Sequence, residues 1–412
     1  MKKAVKMAVK MAGRILAIVV AIGLLGASSP LDAGAAGKPS AINVVVIGDF
    51  SGPYAPVVGP IRPGTEDAWQ YINSNLGGVH GVKVTPILKD MGGKMDIGQS
   101  MYNEVLTLHP KPLFVDVWIT PLSAALRQRY EEDGIVGFHS GATESLYPAA
   151  NSYGFYALYP ELTAVALKWV KENWKEKRNP RIGILTWDTG YGKAILNDEL
   201  YAHLKKIGVD LVGTDLFGIK EVDLTAQLLR LKSKNPDFLV TCAIGGGPLA
   251  IKKGCREMGW KVPLINTIGG DWGTIRLAPE LFEGDIVALS TKSFDETDDP
   301  AVKTIMGFFN ANKRTVNDKG IVYMLGWQDA LIAHKVMTQV VDKHGWDGLT
   351  TKNIKAELEG LKGFDVLGGL SKISYTKDRR TPTQARVYKV SKGKLLPVTP
   401  FLEVPDLRPK KK

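Results

Sequence analysis

Short apolar runs alternate with amphipathic stretches along almost the whole chain, and no other feature narrows the possible folds so far. "INVVVIGDF" (Ile42 to Phe50) is a continuous apolar run of the kind a strand covered on both faces requires, and the Gly- and Pro-rich loop "SGPYAPVVGPIRPG" separates it from the helical "TEDAWQYINSNLGG". The cycle repeats through "VKVTPILKD", "PLFVDVW" and "IVGFHS" as strands, with "DIGQSMYNEVLTLH" and "LSAALRQRYEEDG" as helices between them. A second series begins after "SYGFYALYPE": strands at "RIGILTWD", "VDLVGTDLF", "PDFLVTCAI" and "VPLINTIGG" alternate with helices such as "GKAILNDELYAHLKKIG" and "PLAIKKGCREMGW". Alternation at this spacing predicts βαβ units and parallel sheets. Two series in one chain predict two doubly wound parallel-sheet lobes of α/β class.

Beyond "STKSFDETDDPAV" the pattern loosens into helices at "AVKTIMGFFNANKR", "YMLGWQDALIAHKVMTQVVDKHG" and "TKNIKAELEGL", with short strands near "SKISYTK" and "ARVYKVSKGKL". Neither series accounts for these elements, so they are shared between the lobes. The expected division is residues 41–158 with 293–368 for the first lobe, 159–292 with 369–405 for the second, and a basic tail at 406–412. Several chain crossings would then form a hinge about which the lobes close on a ligand.

Residues 1–36 stand apart from this pattern. Lys2, Lys3, Lys6, Lys10 and Arg14 precede the apolar run "ILAIVVAIGLLG", which is too short to span a bilayer comfortably. The small residues of "LDAGAAGKPS" suit a cleavage site near Ala35 or Ala36, so an export signal and a periplasmic product are expected. Removing the segment takes away five basic residues and Asp32, lowering the formal charge from +11 to +7. Much of the remainder sits in the terminal "RPKKK", a solvated end without interleaved aromatics, so nucleic acid is not an expected partner. Cys242 and Cys255 fall on a strand and late on the following helix, positions too far apart to bridge.

Catalytic and cofactor motifs fall short. "GYGKA" would need Gly at 187 and Ser or Thr at 194 to cradle a phosphate; Trp187 and Ala194 stand there. "GGGPLA" (Gly245 to Ala250) fits G-x-G-x-x-A after a strand, leaving an exported nucleotide-dependent enzyme using Gly245–Gly247 as the alternative, with a tight strand-to-helix turn as the plainer account. No nucleophile elbow exists, and the six histidines are scattered without metal-ligand spacing. No cofactor or metal is expected.

Several segments, in order, resemble one family. "VVVIGDFSGPYAPVVGP", "DAWQYINSNLGGVHGVKV", "YEEDGIVGFHSGATE", "LTWDTGYGKA" and "GWQDALIA" are similar to corresponding stretches of the leucine/isoleucine/valine-binding proteins of ABC importers, across about Ile42 to Val390. The resemblance implies a type I periplasmic binding protein fold, a non-enzymatic role, and a membrane permease as partner. It places a ligand carboxylate on donors at Thr120 and Thr143, with the backbone of Gly141 and Ala142 close by and the Gly141 carbonyl toward an ammonium. Physical chemistry agrees, since a desolvated carboxylate needs several N–H and O–H donors and "WIT" and "SGAT" end neighbouring strands. Thr143 equally suits a helix N-cap.

The chain also departs from the family. Ile119, Pro121 and Leu122 replace small polar residues, Val58 and Ile244 fall near aromatic wall positions, and the acidic residue that would face an ammonium aligns with Ile268, three residues before Asp271. Trp118, Trp187, Tyr191, Trp272 and Tyr323 are expected near the cleft edge, where aromatic faces suit an apolar or cyclic ligand, or a cation. An amino acid or a related organic acid both remain candidates, decided by whether Asp271 reaches the site.

Overall fold

The computed structural model describes residues 37–140 and 151–408. Gly141, Ala142 and Thr143 therefore lie outside the described residues, as do the expected export signal and the last four residues of the tail.

The first sheet contains β1 (Ile42–Gly48), β2 (Val84–Asp90), β3 (Phe114–Val117), β4 (Val136–His139) and β5 (Ser152–Gly154), in the order β2-β1-β3-β4-β5. Every pairing is parallel. Val44 and Val46 pack on one face while Val45 and Ile47 pack on the other, which is why the run is apolar throughout. The helix Ile61–Asn75 begins earlier than "TEDAWQ" suggests, with Pro63 tolerated in its first turn. The single helix expected over "LSAALRQRYEEDG" is instead two, Thr120–Leu126 and Arg129–Glu132.

The second sheet is built from β6 (Arg181–Trp187), β7 (Asp210–Phe217), β8 (Phe238–Thr241), β9 (Leu264–Asn266) and β10 (Ile286–Leu289). Its order runs β10-β9-β8-β6-β7, all parallel. The hairpin of β11 (Phe364–Val366) and β12 (Ser371–Ile373) forms a separate pair, and Ser371 donates from its hydroxyl to Gln328 on the helix Ile321–His344. The chain then returns to the second sheet as β13 (Gln384–Ser391), antiparallel to β10, followed by β14 (Lys394–Pro397) and β15 (Leu402–Glu403). Strands β5 and β10 were not anticipated. The helix Ile321–His344 packs along Ile61–Asn75 and so belongs with the first sheet.

Three stretches connect the two halves, near residues 155–158, 290–299 and 374–383. They are tied to one another: the Ala157 amide donates to Ser290 Oγ at 3.0 Å, and the Gly154 amide to the Arg380 carbonyl at 2.8 Å. Glu161, fully buried, accepts from both terminal nitrogens of Arg379 at 2.9 and 2.7 Å and from the amides of Leu158 and Leu407. Cys242 and Cys255 are both free and buried, and burial pushes each thiol up to about 12.

Candidate ligand-binding site

A cavity of about 470 Å³ opens between the two sheets, at the carboxyl ends of β1, β3, β4, β6, β8 and β9. Open α/β sheets present ligand sites at this edge, where neighbouring strands send their loops apart.

From the first half, the loop after β1 supplies Tyr54, Val57 and Val58. Two carboxylates hold that loop. Asp49 accepts from the amides of Gly52 and Tyr54, and Asp90, at the end of β2, accepts from the amides of Phe50 and Gly92 at 2.8 and 3.0 Å. Strand β3 delivers Trp118, Ile119 and Thr120, and β4 delivers Ser140. The Trp118 ring stacks on Phe155 with centroids 4.9 Å apart, and Phe155 stacks on Phe138 in turn.

The first crossing contributes Tyr156 and Tyr159. Tyr159 donates to the Ser140 carbonyl at 2.9 Å, so the 2.9 Å contact between the two phenols has Tyr156 as donor. Tyr159 meets Tyr191 edge-on at 4.9 Å, and Tyr191 meets Trp187 at 6.2 Å. Burial pushes the Tyr191 phenol well above its ordinary range, keeping it a neutral donor at physiological pH.

From the second half come Trp187, Thr189, Tyr191, Lys193, Ile244 and Ile268. Thr189 caps the short helix Gly190–Lys193 by accepting from the Gly192 amide at 3.0 Å. Among the described residues lining the cavity, Lys193 is the one side chain with a formal charge; it pairs with Asp188 at 2.8 Å, both half exposed. The indole N–H groups of Trp118 and Trp187 have no hydrogen-bond partner among the described residues.

A model of the family described as periplasmic binding protein matches residues 41–394. The chain belongs to that family. A Leu/Ile/Val-binding protein of Citrobacter freundii is 26% identical over 280 residues, covering 66% of this chain and 73% of that one. Among solved structures, a branched-chain amino acid ABC transporter protein from Thermus thermophilus with bound valine matches with a TM-score of 0.79 at 18% identity, over 88% of this chain and 96% of that chain. A solute-binding protein of an ABC transporter from R. palustris, in complex with 4-hydroxybenzoate, matches with a TM-score of 0.73 at 18% identity, over 90% of this chain and 98% of that chain.

This periplasmic binding protein brings Val58, Trp118, Thr120, Tyr191 and Ile244 together on the cavity wall, with Trp187 beside them. Asp271, Trp272 and Tyr323, also expected there, are placed elsewhere. Asp271 is buried and accepts from the Ile321 amide at 2.7 Å, joining the end of the second series to the helix that flanks the first sheet. Burial pushes its carboxyl up to about 6. Trp272 lies under the Lys319 ammonium, 4.1 Å from the ring centroid. Tyr323 turns into the core and donates to Asp67, because the helix Ile321–His344 presents that position to Ile61–Asn75; its neighbour Val322 meets the cavity instead. Ile268 lies on the wall.

Of the glycines of "GGGPLA", Gly245 is held by a hydrogen bond and Gly247 by packing, while Gly246 faces open space. The Gly245 amide donates to Thr274 Oγ1 at 2.9 Å. At Gly247 a β-carbon would stand 2.8 Å from Trp187 Nε1 and 2.9 Å from Cε2, so the indole fits only because no side chain is there. Gly247→Ala is expected to shift the Trp187 ring toward the cavity and cost about 1–3 kcal/mol. Thermal denaturation and the indole emission maximum both report it; an unchanged emission maximum would count against the contact.

Proposed function

We propose that this protein is the solute receptor of an ABC importer, and that its solute is a small aromatic or branched carboxylic acid without an α-amino group. The composition of the wall carries this reading. Aromatic and aliphatic side chains make up most of it, one lysine supplies positive charge, and among the described residues that line it there is no carboxylate to meet an ammonium. An amino acid would need such a partner, because a buried charge without one is strongly disfavoured. The relatives' names span both chemistries: valine in the Thermus protein, 4-hydroxybenzoate in the R. palustris protein. Ile268 in place of an acidic residue favours the second.

In this reading Thr120, and Thr143 by the family resemblance, donate hydroxyls to the carboxylate, and the aromatic residues enclose the body of the ligand. The protein acts after loss of residues 1–36, outside the cytoplasmic membrane, and binds without turnover before handing the solute to a permease. A nucleotide at Gly245–Gly247 is disfavoured by the bonds and contacts already made there.

Calorimetric titration tests it with benzoate, 4-hydroxybenzoate, phenylacetate and 4-methyl-2-oxopentanoate against leucine, valine, phenylalanine, NAD and ATP. At least one acid should bind more tightly than every amino acid, and Thr120→Val should weaken it about ten- to a hundredfold, the loss of one donor to a buried anion. Preferential binding of an amino acid or a nucleotide would overturn the proposal.

A further inference from the structure

The motif "GYGKA" lacks the Gly and the Ser or Thr of a nucleotide loop, yet it places Lys193 on the cavity wall. Lys193 ends the helix Gly190–Lys193, which meets the helix Thr120–Leu126 across the cleft. Thr120 opens that facing helix. Lys193 from one half and Thr120, proposed to hold the ligand's carboxylate, from the other therefore both line the cavity, on elements that approach each other across it.

We infer that Lys193 is a specificity-determining residue: on closure it exchanges Asp188 for the solute's carboxylate and so selects anionic over neutral ligands. The inference rests on the reading of the cavity as an acid-binding site. Its physical ground is a comparison of two pairings. The Lys193–Asp188 pair, at 2.8 Å, is half exposed on both sides, and such surface pairs contribute little to stability. A ligand carboxylate enclosed between the halves is instead removed from water. Neutral donors such as Thr120 satisfy its lone pairs without neutralising its charge. The exchange moves the lysine from a partner that water screens to one that water does not reach, so it favours the liganded state. The wall has no other cation among its described residues.

The test compares 4-hydroxybenzoate with its uncharged isostere 4-hydroxybenzamide, titrated into the full protein and into Lys193→Gln, Lys193→Arg and Asp188→Asn. Lys193→Gln should weaken the acid about tenfold, leave the amide within about twofold, and flatten the dependence of acid affinity on salt. Lys193→Arg should retain most of the acid affinity. Asp188→Asn, which removes the competing carboxylate, should strengthen the acid several-fold and leave the amide unchanged. If the unaltered protein binds the acid and Lys193→Gln binds it equally well, the role of Lys193 is overturned while the acid-binding reading stands. Equal losses for acid and amide would show a structural role only and likewise overturn it. If the unaltered protein binds neither probe, the same comparison is made with 4-methyl-2-oxopentanoate and its amide; if no acid binds, the acid-binding reading fails and the inference falls with it.

Discussion

Arg379→Met is expected to cost about 3–5 kcal/mol of stability, because it strands the buried Glu161 carboxylate without its counter-charge. Glu161 is fully buried, and the guanidinium supplies two of the four hydrogen bonds it accepts. The amides of Leu158 and Leu407 cannot compensate a full charge. Glu161→Gln should cost less, since Arg379 keeps a second carboxylate, Asp406, at 3.4 Å. The double change to methionine at both positions should recover a large part of the loss, as apolar groups of similar volume need no partners. Urea denaturation of the three variants checks this. A loss below about 1 kcal/mol in both single variants would mean that water reaches the pair.

A second large effect is expected as pH rises. Asp116 on β3 and Asp329 on the helix Ile321–His344 are both buried, and neither oxygen of Asp329 has a hydrogen-bond partner among the described residues. Burial pushes Asp116 up to about 8; burial, and then the charge of Asp116, push Asp329 well above the carboxylate range. Folded-state values above the unfolded value mean that the folded protein holds these protons more tightly. The resulting stability is complete below about pH 4, the unfolded value, and is lost as pH rises through the folded values. The loss approaches about 1.4 kcal/mol per pH unit for each proton released. Asp271 and Asp285, pushed by burial up to about 6 and about 7, add to the same trend at lower pH. His139 acts oppositely: burial pushes it down to about 3, so its neutral ring contributes stability that is lost as pH falls below about 6.5. Melting temperatures from pH 5 to 9 should fall toward the alkaline end, and Asp329→Asn should flatten the decline above pH 7. An equally steep decline in that variant would assign it to other groups.

The sheets were legible in the sequence because strands covered on both faces must be apolar throughout, as "INVVVIG" and "RIGILTW" are. β5 and β10 were not, since their places are set by neighbours already aligned rather than by their own pattern. The same division holds at the cavity. Trp118, Thr120 and Tyr191 could be located because they follow strand ends, where a parallel sheet opens its crevice. Tyr156 and Tyr159 were missed: they come from a crossing, and only the packing of the two halves brings them to the wall. The aromatic density of "SYGFYALYPE" was the available signal. Tyr323 was misplaced because a helix inside the protein is apolar on most faces, leaving periodicity unable to say which face meets the cleft. Asp271 failed for a related reason, since a buried carboxylate serves a ligand or a backbone amide equally well in sequence terms.

The mutual fastening of the three crossings gives the proposed receptor two places at which its binding could be adjusted. In the proposed closing receptor, a substitution at Ser290, which fastens one crossing to another, would shift the balance between open and closed forms without touching any solute, and so rescale every affinity by one common factor. A substitution at Ile268, on the wall, would in the same reading change which solute is preferred. In that reading a duplicated copy of such a gene could be retuned to a scarcer or more abundant solute at the crossings and redirected to a different one at the wall.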